Sequence, residues 1–169
     1  MRKTFLIFLV FAGITKIEAQ ENIIKASLLY GNAGLQYERS LSQHFSLVGQ
    51  AGLGFSNYSD THIANDFSTG FGYYFEGRYY FSSTKDKMTG WHIGPSVNIA
   101  KTTSKKTAIV YESNIYSLSA GSQWIFESKL SFEFFLAIGY QDIKSGSEML
   151  DPTGLPVMPS GGISVGYAF

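Results

Sequence analysis

The sequence has no cysteine and only four prolines in 169 residues, and beyond its N-terminal segment it has no apolar run long enough for a membrane-spanning helix. Without cysteine, a disulfide framework and a thiolate zinc site are both excluded. Thirteen basic residues balance thirteen acidic ones, so the formal net charge of zero gives no electrostatic reason to expect nucleic-acid binding. The length leaves room for one domain.

Aromatic residues and glycine are both abundant. Aromatics make up 16% of the chain, and there are 18 glycines. Large flat side chains combined with missing side chains suit a sheet that curls tightly.

The first 19 residues differ from the rest. Arg2 and Lys3 precede an apolar segment, residues 4–14, and Ala19 is a small residue at the expected cleavage point. This layout predicts a signal peptide over 1–19 that is cleaved, leaving 20–169 as one domain. A transmembrane anchor is disfavoured, because about 11 apolar residues fall short of the ~20 that span a bilayer.

Apolar residues alternate with small or polar ones through most of the remaining chain. In residues 130–141, for example, Phe132 and Leu136 fall on one face and Glu133 and Ala137 on the other. No helical period of useful length is present. Turn signals divide the chain into eight strands: 22–30, 33–40, 45–57, 67–82, 88–101, 107–126, 129–143 and 158–169. If Gly31-Asn32 were not a turn, the count would be seven.

The connections between these strands alternate in length. The short ones are 41–44, 83–87 and 127–128, and the longer, polar ones are 57–66, 101–106 and 144–156. Outer-membrane barrels have short periplasmic turns and longer external loops. Eight strands, with both chain ends on the short-turn side, satisfy this alternation.

The polar face of the strands distinguishes a membrane barrel from a soluble, lipocalin-like one. That face carries glycine, serine, alanine, asparagine and glutamine with few charges, whereas a water-facing surface carries many lysines and glutamates. The opposite face is too bulky to fill an eight-stranded lumen. The prediction is an all-β, eight-stranded antiparallel up-and-down transmembrane barrel of the outer-membrane type.

Aromatic residues also collect near the predicted strand ends on the short-turn side, where an interfacial girdle is expected. These residues are Tyr37, Phe45, Tyr79, Phe81, Trp91, Trp124, Phe126, Tyr167 and Phe169. The alternative is the ordinary preference of aromatics for strands.

A family resemblance follows from the leader, the segment Leu35-Gln36-Tyr37-Glu38-Arg39, the glycine-rich strands and the terminal Gly166-Tyr167-Ala168-Phe169. Together they resemble the small OmpA-like/OmpX-like outer-membrane barrels of Gram-negative bacteria. The resemblance implies an outer-membrane location and a C-terminal strand, ending in Tyr167 and Phe169, that the barrel-assembly machinery binds. It says little about activity, since that family includes structural proteins, adhesins and lipid-modifying enzymes.

Strand parity places five charged residues inside the barrel, in the half nearer the short turns. They are Lys25, Glu38, Glu76, Arg78 and Glu133. Charges inside a barrel must be paired or hydrated, so a lumen charge network is expected. We interpret this network as a structural plug that fills the lumen. A gated ion path is the alternative interpretation. Three acids facing two bases leave one carboxylate in need of a partner, such as the inward His92, water or a proton.

Other polar clusters give weaker signals. His62, with Asp60, Asp66, Ser59 and Ser68 nearby, has the residue types of a hydrolytic site but no motif that fixes their geometry. Polar loops are rich in such residues, so no enzyme is predicted.

Two loop clusters are predicted to be mainly solvated. Asp142 and Asp151 could join the acids of loop 57–66 in binding a divalent cation, but together they lack the regular spacing of a calcium loop. The loop lysines Lys101, Lys105 and Lys106 could touch lipopolysaccharide phosphates.

The sequence therefore predicts a structural or interaction protein that presents loops 57–66 and 144–157 outward. A narrow channel is the alternative function, and a lipid-modifying enzyme is a third. No cofactor, metal or nucleic acid is expected. The expected partners are outer-membrane lipid, lipopolysaccharide and the barrel-assembly machinery, and the expected state is a monomer.

Overall fold

The computed structural model describes residues 21–60, 63–81, 87–145 and 157–169, and at 57–60, 63–66 and 145 it describes the backbone alone. The signal peptide predicted over residues 1–19 lies outside this range. The strands are β1 (Asn22–Leu29), β2 (Asn32–Ser40), β3 (Phe45–Asp60), β4 (Ile63–Tyr80), β5 (Gly90–Ser104), β6 (Val110–Ile125), β7 (Leu130–Ser145) and β8 (Val157–Ala168). Within the described residues, no helix is long and apolar enough to cross a membrane.

The eight strands form a closed barrel in which each strand pairs antiparallel with the next and β8 pairs with β1. This confirms the predicted fold class. The first hairpin is a true turn, because Leu29 pairs with Asn32 and Gly31 takes a φ of 76°, a conformation that favours glycine. The count is therefore eight strands and not seven.

Several strand edges differ from the prediction at the long-loop end. Strand β3 continues to Asp60 and β4 begins at Ile63, so most of the predicted loop 57–66 is strand, and β5 likewise continues to Ser104. A ladder can continue beyond an apolar belt because its backbone hydrogen bonds do not depend on hydrophobic side chains. Polar composition therefore marked the end of the belt and not the end of the strands.

The outer face of the barrel is apolar. Large hydrophobic side chains are exposed on every strand, among them Leu53 (67%), Phe71 (69%) and Leu136 (70%). All nine aromatic residues predicted for the girdle are also exposed, between 38% and 62%. In the described side chains of the strands, outward charges occur only towards the two ends of the barrel.

Large inward side chains form two apolar layers at different depths. The lower layer, nearer the short turns, contains Ile23, Tyr80, Met88 and Ala168, with Ile125 packed against it. The upper layer, nearer the long loops, contains Leu29, Val48, Tyr74, Phe135 and Ala137. Tyr74 and Phe135 stack with ring centroids 6.1 Å apart. Inward side chains on β4 run from Tyr80 through Arg78 and Glu76 to Tyr74, so the charged residues lie between the layers.

Candidate functional site in the barrel lumen

The five charged residues predicted to face the lumen meet in one cluster between the two apolar layers. They come from β1, β2, β4 and β7, and none is more than 3% exposed. We call Lys25, Glu38, Glu76, Arg78 and Glu133 the lumen charge cluster.

Arg78 contacts all three carboxylates of the cluster. Its Nη2 lies 2.6 Å from both Glu76 Oε2 and Glu133 Oε1, and its Nη1 donates to Glu38 Oε2 at 3.1 Å. Its Nε also donates to Glu76 Oε2, at 2.6 Å. The planar guanidinium can reach several acceptors at once, which a lysine ammonium on a flexible stem does less well.

Lys25 approaches two of the same carboxylates from β1. Its Nζ lies 2.6 Å from Glu38 Oε2 and 2.7 Å from Glu133 Oε2, and it also donates to Gln123 Oε1. Glu38 and Glu133 each bridge Lys25 and Arg78, which closes a ring of four charges. Among the described residues, Glu76 has an ion pair only with Arg78.

Neutral side chains occupy the remaining acceptor sites of the carboxylates. Ser46 and Tyr80 donate to Glu38 Oε1 at 2.6 and 2.7 Å, and Ser164 donates to Glu133 Oε2 at 2.8 Å. Glu76 accepts from Ser119 and from Tyr74, the latter at 3.0 Å. These donors were not predicted from the sequence. Strand parity was the signal that could have found them, since they share the inward face with the acids they bind.

His92 lies at the edge of the cluster. Its Nε2 is 3.4 Å from Glu133 Oε1, and its ring centroid is 5.2 Å from that of Tyr80. Neither ring nitrogen has a hydrogen-bond partner among the described residues. The sequence suggested His92 as a partner for the unpaired third carboxylate. In the structure His92 is near Glu133 but is not hydrogen-bonded to it.

A glycine allows the backbones of β4 and β5 to approach closely beside Arg78. Gly94 lies on β5 beside the stretch of β4 that carries Arg78, and a Cβ at Gly94 would overlap the carbonyl oxygen of Gly77. The Gly94 carbonyl also accepts a hydrogen bond from Ser119 Oγ at 3.0 Å. This close approach of β4 and β5 requires the absence of a side chain at Gly94.

Comparison with protein families gives a match over residues 5–149 to a family described as "Protein of unknown function (DUF3575)". The chain belongs to the DUF3575 family. The match covers most of the barrel, so the family assignment and the fold concern the same part of the chain. No curated protein matches the sequence.

Two solved structures share the fold of this DUF3575 protein. The crystal structure of Acinetobacter baumannii CarO has a TM-score of 0.53 and 9% identity, and the match covers 89% of this chain and 98% of CarO. The crystal structure of Acinetobacter baumannii CarO2 has a TM-score of 0.51 and 8% identity, and the match covers 90% of this chain and 100% of CarO2. At these identities the likeness establishes the barrel fold alone.

The lumen charge cluster crosses the lumen of the DUF3575 barrel. The charged side chains bond to one another across the lumen, and the two apolar layers cover them on both sides. Beside the upper layer is a small cavity of about 10 Å³, lined in part by Leu29, Asn98 and Phe135, which is about the space one water needs. The cluster can hold strands together across the lumen.

The side chains suggested for chemistry in the loop 57–66, including His62, lie outside the described residues, as does Asp151. The prediction that this loop has no catalytic role therefore stays a prediction.

Proposed function

We propose that this DUF3575 protein is an outer-membrane barrel with a structural or interaction role, a closed lumen and no catalytic activity. The observation that carries the proposal is the combination of an apolar outer face with an interior in which paired charges lie between two apolar layers. A barrel folded for water would have the reverse arrangement.

The outer face supports the membrane location. Exposed apolar patches on soluble monomers rarely exceed a few hundred Å². Here apolar side chains are exposed on all eight strands, and among the described side chains outward charges occur only towards the ends. Aromatic rings such as Trp91 and Trp124 lie at the short-turn end, where a bilayer interface favours them. The expected signal peptide over 1–19 would supply export.

The interior supports a closed barrel over a narrow channel. A solute or hydrated ion would have to separate Arg78 and Lys25 from carboxylates within 2.6–3.1 Å and then pass both apolar layers. Leaving a buried charge unpaired costs several kcal/mol. The long-loop end, with its hairpins directed outward, is then the part available for interactions.

Membrane placement can be tested on the exported protein. We expect it to begin at Gln20, to need detergent, to show β-type circular dichroism and to migrate faster unheated than boiled on a gel. A monomer that stays soluble without detergent would refute the proposal. A chain that keeps residues 1–19 would contradict only the signal peptide.

Lumen closure can be tested in planar bilayers. We expect no steady conductance from the wild type or from Ser96→Ala, a control change outside the cluster. Arg78→Met should also stay silent, because the apolar layers remain. Steady conductance of the wild type would replace the closed-barrel proposal with the channel alternative.

A further inference from the structure

A row of charged residues crosses three strands on the outer face at the long-loop end. Lys101 on β5 pairs in register with Glu112 on β6, and Glu112 pairs with Lys144 on β7. All three side chains are exposed. Residues directly opposite on one face of a sheet are close enough for their side chains to interact.

Lys101 and Lys144 flank Glu112 in the row, and a second carboxylate, Asp142, lies on the same face of β7 between Tyr140 and Lys144. Lys101 Nζ lies 2.6 Å from Glu112 Oε1, and Lys144 makes no ion pair with any described residue. The Lys101–Glu112 pair is more than half exposed on both sides, and such pairs contribute little stability, so it can open at low cost. One more lysine, Lys105, lies nearby on the same rim, with its Nζ 5.7 Å from the ring centroid of Phe67.

Two tyrosines lie side by side between this row and the apolar belt. Tyr116 and Tyr140 pair across β6 and β7 and are 56% and 54% exposed. Further towards the short turns, Leu118 and Ile138 pair in the same way and are also exposed. Towards the long-loop end, the outward residues of β6 run from Leu118 through Tyr116 and Asn114 to Glu112. Those of β7 run from Ile138 through Tyr140 and Asp142 to Lys144.

We infer that this face binds the phosphate of an outer-leaflet lipid, with Lys101 and Lys144 contacting the phosphate and Tyr116 and Tyr140 lying beneath the headgroup. The inference rests on the proposed membrane location. It adds a specific partner chemistry, an acylated phosphate, at a specific part of the rim. Lysines at a membrane surface attract anionic lipid, and tyrosine rings prefer the boundary between chains and headgroups.

The tyrosine pair favours a lipid over a free anion. Inorganic phosphate would gain only the lysine contacts, whereas a lipid also covers exposed rings and the aliphatic residues below them. Glu112 and Asp142 oppose either ligand, because Glu112 competes with phosphate for Lys101 and Asp142 repels an anion beside Lys144.

The test uses the mature barrel in detergent, with native mass spectrometry to measure binding of bisphosphorylated lipid A. We expect Lys101→Gln and Lys144→Gln each to weaken binding about fivefold. Lys129→Gln, an equal charge change at the short-turn end, should leave it unchanged. Glu112→Gln should tighten binding, an effect that damage to the fold would not produce.

Two further probes identify the source of the phosphate. Dephosphorylated lipid A should bind at least fivefold more weakly than the bisphosphorylated form, and millimolar inorganic phosphate should not displace the lipid. Equal binding of both lipids, or equal losses in Lys101→Gln and Lys129→Gln, would overturn the inference. Displacement by inorganic phosphate would reassign the site to free anions. Faster migration of the unheated protein in the same preparations would show that the membrane proposal survives either result.

Discussion

The two halves of the lumen are built differently. The half nearer the short turns contains the lumen charge cluster between two apolar layers. The half nearer the long loops has small uncharged groups, such as Ser68 and Thr102, and contacts between hydroxyls, such as Ser56 Oγ to Thr102 Oγ1 at 3.1 Å. No charged side chain is buried in that half among the described residues.

The two halves of the lumen are therefore held together by different kinds of side-chain contact. In the short-turn half, side chains from non-adjacent strands bond across the lumen, as Arg78 on β4 does with Glu133 on β7. In the long-loop half, the contact across the lumen from Ser56 on β3 to Thr102 on β5 joins two uncharged hydroxyls. Substitutions in the two halves should therefore differ in cost.

The largest effect is expected for Arg78→Met. The change leaves three buried carboxylates with Lys25 as their only remaining full cation in the cluster, and breaking a buried pair typically costs about 3–5 kcal/mol. The free energy of unfolding, measured by urea titration in lipid vesicles, reports the loss. A loss below about 1 kcal/mol would mean that water enters the cluster and screens it.

Leu136→Arg should follow, with a loss of roughly 2–4 kcal/mol if this site is near the bilayer midplane. The leucine is 70% exposed on the outer face of β7. Leu53→Arg provides a second test on β3. The same titration applies, and tolerance of arginine at both sites would show that the outer face does not meet lipid.

A double-mutant cycle tests whether the residues of the lumen charge cluster act as one network. Arg78→Met combined with Glu133→Gln or with Glu76→Gln should lose less stability than the sum of the single changes, by about 0.5–3 kcal/mol. Both acids lie 2.6 Å from Arg78 Nη2. Additive losses for both pairs, and for the pair with Glu38, would mean that these residues do not act as a network.

The smallest effect is expected in the long-loop half. Thr102→Val keeps the shape of the side chain but removes its hydroxyl contact with Ser56, so we expect a loss of about 1 kcal/mol. Equilibrium unfolding of this variant beside Arg78→Met compares the two halves directly. Equal losses would contradict the contrast between them.

Alternation along the strands was enough to predict much of this protein. Turn signals predicted eight strands. A period of two predicted the inward face of Lys25, Glu38 and Arg78, because successive side chains in a strand point to opposite sides. The same parity places Phe135 inside, beside Glu133 and Ala137. We expected bulky residues to face outward as a class, whereas the lumen accommodates Phe135 because Gly162 lies against its ring.

Strand edges and partners required the folded barrel. Composition identifies where an apolar belt ends, but the ladder of β3 and β4 runs past that point to Asp60 and Ile63 because backbone pairing needs no apolar side chain.

The sequence by itself determined which residues face the lumen and that their charges need compensation, since both follow from strand parity and the cost of burying a charge. Only the tertiary structure decided that Glu38 and Glu133 bridge both cations, that Glu76 depends on Arg78, and that two apolar layers cover the cluster. These contacts join residues far apart in the chain. They are set by how the register of eight tilted strands closes around the lumen, which no local pattern contains.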